Sequence, residues 1–372
     1  MKWIAIMIVL GLASMAHADF WDEPRHGANS FNGAPPDRTY FDAASDAGIE
    51  WIRLTWSKWP SAADDATLGS FLQGSADDYD GLIDADLAVL RRVLDDAEAA
   101  GVKIVLVPLS LPGALWRQHN DYESDARLWT DLAYHDQAAR FWADLALAVR
   151  DHPALVGYNI VNEPHPARSV EGDSVDVVAF TEKQRGQAGD VNELYRRVAK
   201  AIRAVDAKTP IMLDGPNYAA VGSIAALQPL PDELGPTLYA VHFYEPWAFN
   251  HWPTHEGAWS YPGIMDLPWG EGAQRVDATY IDGKFESVDA WMAQHAVPAA
   301  RMVLAEYGIQ RRNTGAAEYL RDVRRAATGR DLHTAFYAFR EDVWPMMDYE
   351  FGMQFPPTQR HDNELWRAVL GE

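Results

Sequence analysis

The chain contains no cysteine, which excludes disulfides, thiolate nucleophiles and cysteine-ligated zinc or iron–sulfur sites. Its 372 residues must be held by packing alone, and that length can bury a sizeable core as one large α/β barrel or as two ordinary domains. Basic residues are also scarce: 32 Lys and Arg stand against 54 Asp and Glu, for a net charge of −22. Such an excess disfavours nucleic acid and anionic membranes as partners and suits a neutral ligand, although acidity also serves plain solubility. No Gly-rich phosphate loop follows a strand, and there is no internal repeat or low-complexity segment. Beyond the N-terminus no apolar run is long enough to cross a bilayer.

The N-terminus reads as a cleavable secretory signal over residues 1–18. Lys2 precedes an apolar run from Trp3 to Leu12, and Ala16-His17-Ala18 supplies a small-x-small pattern before Asp19. A membrane anchor is the competing reading, but the run is short for a span. The expected product is a single domain, 19–372, that is secreted or periplasmic.

Aromatic residues are abundant instead, with 15 Trp, 15 Tyr and 13 Phe, more than a core needs. Aromatic faces in clefts stack on sugar rings, though each one taken singly is more often a core residue.

The stretch Leu155-Val156-Gly157-Tyr158-Asn159-Ile160-Val161-Asn162-Glu163-Pro164 reads as a buried strand. Pro164 and Pro166 cannot continue a ladder, so Asn162 and Glu163 are expected where strand becomes loop, the position at which α/β barrels keep their chemistry. Arg301-Met302-Val303-Leu304-Ala305-Glu306-Tyr307-Gly308 repeats the pattern, an apolar strand ending in Glu. Further strands are expected at 25–32, 50–54, 102–109, 211–214, 238–243 and 334–339. Helical spacing appears at 38–47, 84–100, 137–150, 191–205, 286–295, 316–328 and 363–370, with a stub at 223–227. Segments 57–79 and 244–280 read as long loops.

Eight strands alternating with helices, with no linker between halves, predict one closed (β/α)8 TIM barrel. The alternative is a doubly wound open sheet, which usually carries the phosphate loop that this chain lacks. In a parallel barrel all strand ends point one way, so Glu163 and Glu306 face each other across one mouth. Either glutamate alone could be an ion-pair partner for an Arg. Both together at one rim would repel unless the site used them, one as a protonated donor and the other as an ionised nucleophile.

These stretches, Ile160-Val161-Asn162-Glu163-Pro164, His242-Phe243-Tyr244 and Leu304-Ala305-Glu306-Tyr307-Gly308, resemble the strand-four, strand-six and strand-seven motifs of glycoside hydrolase family 5, the cellulase-type members of clan A. The resemblance runs from about Gly27 to the C-terminus. Two more stretches resemble bacterial members: Glu245-Pro246-Trp247 with Thr254 to Trp259, and Tyr337 to Asp342 with Met347 to Glu350. It implies Glu163 as general acid/base, Glu306 as nucleophile and Asn162 as a ligand of the sugar 2-hydroxyl. Arg53 and Tyr244 would keep Glu306 ionised, and His242 would line the pocket near the acid/base. Taken alone, Arg53 would read as a surface charge and His242 as a satisfied core histidine.

Two departures from the family pattern stand out. Leu109 occupies the place of a frequent family His, and the strand-eight Trp that floors the −1 subsite has no obvious counterpart. Phe339 or Arg340 falls near its place, with Trp344 further on. Trp116, Trp247, Trp252, Trp259 and Trp344 lie in strand-exit loops and are expected as sugar-stacking walls. His251 and His255 with Glu256 are too loosely spaced for a metal site, and no metal or other cofactor is expected.

The resemblance implies a retaining glycoside hydrolase acting, as a monomer, on a β-linked polysaccharide or oligosaccharide. An endo-β-1,4-glucanase is the first expectation, and a β-mannanase or other β-glucanase the next. A non-catalytic polysaccharide-binding barrel is the reading of a different class. Such a protein would be expected to lose one carboxylate first, and this chain keeps both.

Overall fold

The computed structural model describes residues 20–63, 69–172, 175–268 and 270–372. The expected leader, 1–18, lies outside them. Among the described residues, eight parallel strands close into a barrel. In chain order these are β1 (His26–Ser30), β2 (Trp51–Leu54), β3 (Lys103–Leu106), β4 (Leu155–Asn159), β5 (Ile211–Asp214), β6 (Thr237–Phe243), β9 (Met302–Tyr307) and β10 (His333–Phe336). A separate antiparallel hairpin, β7 (Gly263–Leu267) and β8 (Gly272–Val276), stands between β6 and β9. The long helices are α1 (Arg38–Asp46), α2 (Asp84–Ala100), α3 (Leu132–Val149), α6 (Val191–Arg203), α9 (Glu286–His295) and α10 (Ala316–Thr328), with α11 (Glu364–Leu370) closing the chain. Shorter helices are α4 (Pro166–Glu171), α5 (Val177–Lys183), α7 (Trp247–Asn250) and α8 (Ala278–Lys284).

Local chemistry sets the helix ends. Asp37, Asp131, Asp190 and Asn363 cap α1, α3, α6 and α11 by accepting from first-turn N–H groups. Gly101 ends α2 in the left-handed conformation that a residue without Cβ adopts freely. The Asp131 cap starts α3 five residues before the helix that apolar spacing alone predicts.

Strand alternation divides the interior into two cores. Ile52, Leu54, Ile104, Leu106, Ile211, Leu213, Val241 and Leu304 face the helices, in the large outer core. Trp51, Val105, Val156, Met212, Leu238, Val303 and Ala335 fill the barrel, and Trp21 plugs its floor with Nε1 donating to the Val156 carbonyl at 2.9 Å. Gly27 is required there, because a Cβ would lie 2.5 Å from the Trp51 ring.

Towards the strand C-termini the inward positions turn polar. Asn29, Arg53, Asn159, Asp214 and His242 are all buried, and they carry the site.

The exit of β4 and the segment 244–280 also differ from the sequence reading. Regular pairing of β4 stops at Asn159 rather than at residue 164, since Asn162 donates to the Pro108 carbonyl at 3.0 Å and Glu163 turns to a φ of 49°. Segment 244–280 is not a loop throughout: it holds α7, the β7–β8 hairpin and the start of α8. Met265 and Leu267 alternate with exposed Ile264 and Asp266, a period-two signal that the surrounding aromatics obscure.

Candidate active site

Arg53 is the hub of the mouth. Trp51 faces inward on β2, so Arg53 two residues later does too, and its guanidinium is fully buried. Its Nε donates to Asn159 Oδ1 at 2.7 Å, Nη1 to Glu306 Oε1 at 2.5 Å and to Asn29 Oδ1 at 3.2 Å. Nη2 donates to Asn162 Oδ1 at 2.8 Å and to Asp214 Oδ2 at 3.1 Å. A planar fork of five N–H donors suits this task, and a lysine could not span it.

Glu306 reaches the same pocket through a bulge. On β9, Leu304 pairs with Val241 of β6, but His242 pairs with Glu306, and the same slip appears against β10. One extra residue in β9 therefore turns both Ala305 and Glu306 to the interior, the re-aiming that bulges perform beside active sites. Oε2 of Glu306 accepts from the Tyr244 hydroxyl at 2.8 Å.

Glu163 stands opposite. Its main-chain N–H donates to Asp214 Oδ2 at 3.0 Å, and its Oε1 lies 2.9 Å from His242 Nδ1. A carboxylate oxygen of Glu163, a ring nitrogen of His242 and a carboxylate oxygen of Glu306 lie within 4.8 Å of one another. The structure thus brings Arg53, Asn162, Glu163, His242, Tyr244 and Glu306 into one cluster.

The environments of the two carboxyls differ. Burial, then the charge of Asp214, pushes Glu163 up to about 8. Burial, and after it the charge of Glu163, also raises Glu306, while the Arg53 guanidinium and the Tyr244 hydroxyl oppose that rise. Burial lowers His242, so the imidazole is neutral near pH 7. The arrangement sets Glu163, held protonated to high pH, across from Glu306, whose two oxygens accept from a guanidinium and a phenol, and proton donation coupled to nucleophilic attack requires such a division of environments.

The family's strand-eight Trp has neither of its expected stand-ins. Phe339 is buried in the outer core, stacked on Trp366 at 5.9 Å, and Arg340 pairs with Glu350. Tyr337 takes the place at the β10 exit. It packs edge-on to Phe31 at 5.4 Å, and its hydroxyl donates to Glu341 at 3.0 Å. Leu109 and Tyr244 pack against the same apolar group of Phe31, Tyr337 and Met347, so a hydrocarbon wall stands where the resemblance implies a histidine.

The tryptophans divide. Trp344, 41 % exposed, lies 6.5 Å from Tyr337 and extends that wall outward. Trp116 is half-buried beneath the Lys58 ammonium at 5.0 Å. Trp247 is exposed and stacks on His251, whereas Trp259 stacks on His255 and packs against the outer core. Trp252 lies 3.9 Å from the Arg312 guanidinium. His255 Nε2 lies near the Phe249 carbonyl and Asn313 Oδ1, and His251 Nδ1 near Thr254, so both rings serve the loop.

Motif reasoning missed Asn159, Asp214 and Tyr337. For Asp214 the signal was present, since a carboxylate ending an apolar strand is the rule that found the two glutamates.

The chain matches the model of a family described as Cellulase (glycosyl hydrolase family 5) over residues 19–342. No curated protein matches it. Among solved structures it is similar to endoglucanase Cel5A of Pseudomonas stutzeri, with a TM-score of 0.64 and 20% identity, covering 94% of this chain and 97% of that one. It is also similar to endoglucanase Cel5A of Thermotoga maritima (TM-score 0.63, 20% identity, 93% and 96% covered). A third is the cellulose synthase subunit Z of Clostridioides difficile (TM-score 0.62, 16% identity, 93% and 99% covered). At these identities the likeness is one of fold.

Proposed function

The chain belongs to glycosyl hydrolase family 5, and from that premise we propose that it is an endo-acting β-1,4-glucanase that retains anomeric configuration. The carboxyl pair carries the reading. Oxygens within 4.8 Å suit the short separation of retaining enzymes, whereas an inverting pair stands far enough apart to admit a water.

Glu306 attacks the anomeric carbon while Glu163 gives its proton to the departing glycosidic oxygen, so a C–O bond breaks as an ester to Glu306 forms. Water then attacks the same carbon, Glu163 takes the proton back, and the Glu306 carboxylate leaves. Arg53 and Tyr244 disperse the charge that Glu306 carries at the start and regains at the end. Asn162, held by Arg53, presents its amide to the sugar 2-hydroxyl.

The substrate class draws support from the solved relatives, two of which, Cel5A of Pseudomonas stutzeri and of Thermotoga maritima, are described in complex with cellobiose. The aromatic wall of Tyr337 and Trp344 suits the apolar face of a glucosyl ring. Incubation with barley glucan, carboxymethylcellulose, lichenan and mannan, followed by product sizing and anomeric NMR, tests the reading. Short β-1,4-gluco-oligosaccharides released first as the β-anomer are expected. Mannan as the sole substrate, or a first-formed α-anomer, would replace it, and absence of turnover would favour a polysaccharide-binding barrel. Export to the periplasm or medium is part of the proposal, tested by N-terminal sequencing for a start at Asp19.

A further inference from the structure

Asp214 ends β5 with its carboxylate fully buried. Oδ1 accepts from Asn159 Nδ2 at 2.9 Å, and Oδ2 accepts from Arg53 Nη2 at 3.1 Å. Oδ2 also meets Glu163 by two routes. One is direct, the Glu163 N–H at 3.0 Å. The other passes through His242, whose buried Nε2 has no hydrogen-bond partner and lies 3.5 Å from Oδ2, while its Nδ1 lies 2.9 Å from Glu163 Oε1.

We infer that Asp214 is a positioning residue for Glu163: it pins the left-handed main chain of that residue and orients the His242 ring so that Nδ1 accepts the Glu163 carboxyl proton. The inference rests on the reading of Glu163 as acid/base. A neutral imidazole has one N–H and one lone pair. With the N–H directed at Asp214, the lone pair faces Glu163, and the matching partner is a protonated carboxyl. Once Glu163 has given its proton away, Nδ1 must carry the N–H, and the bare Nε2 then faces the Asp214 charge. That arrangement is less favourable, so Asp214 keeps the acid loaded before each glycosyl transfer. The other charged or titratable groups around Asp214, His242 and Glu163 are Arg53 on β2, Glu306 on β9, Tyr244 at the β6 exit, Tyr195 on α6, whose hydroxyl donates to the Asp214 carbonyl at 2.7 Å, and His165, whose Nδ1 lies 2.8 Å from the Glu163 carbonyl. Of these, Arg53 favours the ionised form of Glu163, and Asp214 opposes it.

The test compares Asp214→Asn and Glu163→Gln with the wild-type enzyme on aryl β-cellobiosides. Asparagine keeps the shape and one acceptor but removes the charge. Asp214→Asn should lower kcat on a phenyl leaving group by about a hundredfold, the usual size of a general-acid contribution, and at least tenfold more than on dinitrophenyl. Its alkaline limb should move to lower pH. If Glu163→Gln is impaired on the phenyl substrate while Asp214→Asn keeps wild-type pH limits and leaving-group dependence, the positioning role is overturned. If Glu163→Gln itself turns over phenyl cellobioside normally, the acid/base reading fails instead.

Should Asp214→Asn not fold, ¹⁵N NMR of His242 in the wild-type chain decides. The ring proton is expected on Nε2 below the alkaline limb and on Nδ1 above it. A ring protonated on Nδ1 throughout would sink the inference.

Discussion

Arg53 and Glu306 lie 253 residues apart in the chain and meet at 2.5 Å between Nη1 and Oε1, deep in the barrel mouth. The same guanidinium holds Asp214 and Asn162, so one side chain fixes the nucleophile side and the acid side of the pocket together. Arg53→Lys keeps the charge but loses the fork. Steady-state kinetics should show kcat falling by about 10²–10³, the loss typical of one missing stabilising donor set, with a smaller change in KM. Arg53→Ala leaves two buried carboxylates unpaired, and chemical denaturation should report a loss of about 3–5 kcal/mol.

Activity should follow a bell in pH. Glu163 works protonated and is held at about 8, so kcat/KM should fall as pH rises through that value, while protonation of Glu306 sets the acid limb. A profile flat from pH 5 to pH 10 would count against this pair.

The same raised value predicts a trade of stability for function. A carboxyl whose folded pKa lies above its ordinary 4.5 costs nothing while protonated, begins to cost as pH passes 4.5, and costs fully above about 8. Glu163→Gln should therefore melt higher than wild type at pH 8 by about 1–2 kcal/mol, allowing for its partial exposure, with the gain vanishing below pH 4.5. Calorimetry at three pH values reads this directly.

Azide separates the roles of the two glutamates. Glu306→Ala opens the face opposite the leaving group, so azide should restore turnover with an α-glycosyl azide as product. Glu163→Ala on an activated aryl substrate should accumulate the glycosyl-enzyme and give the β-glycosyl azide. Anomeric coupling constants distinguish the products. Near-full activity of both variants on β-glucan would put the catalytic site elsewhere.

Trp344 adds an exposed ring to the wall begun by Tyr337. Losing one stacking face costs about 1 kcal/mol, so Trp344→Ala should raise KM for long β-glucan oligosaccharides about fivefold and change kcat little. An equal effect on cellobiosides would mean that the ring serves the fold.

The barrel was legible because its signals are local. Apolar strands, helical spacing, the αL glycine after α2 and proline stops can each be read within a few residues. Both glutamates could be found for the same reason, since a carboxylate ending a buried strand is out of place unless it is used. Asn162 came with Glu163 at the same strand end, whereas Arg53, His242 and Tyr244 were reached through the family resemblance, and local reading alone would have passed over Arg53 and His242. The hairpin at 263–276 was lost among aromatics, and Tyr337 was overlooked in favour of Phe339 and Arg340, because which ring of a loop turns inward depends on what it packs against. Glu306 shows the limit most clearly. Val303 and Ala305 face the barrel interior, so the period of two along β9 turns Glu306 outward to the helices. Only the extra residue in its register against β6 and β10 brings that carboxylate to Arg53, and register belongs to the pairing of neighbouring strands rather than to any one of them.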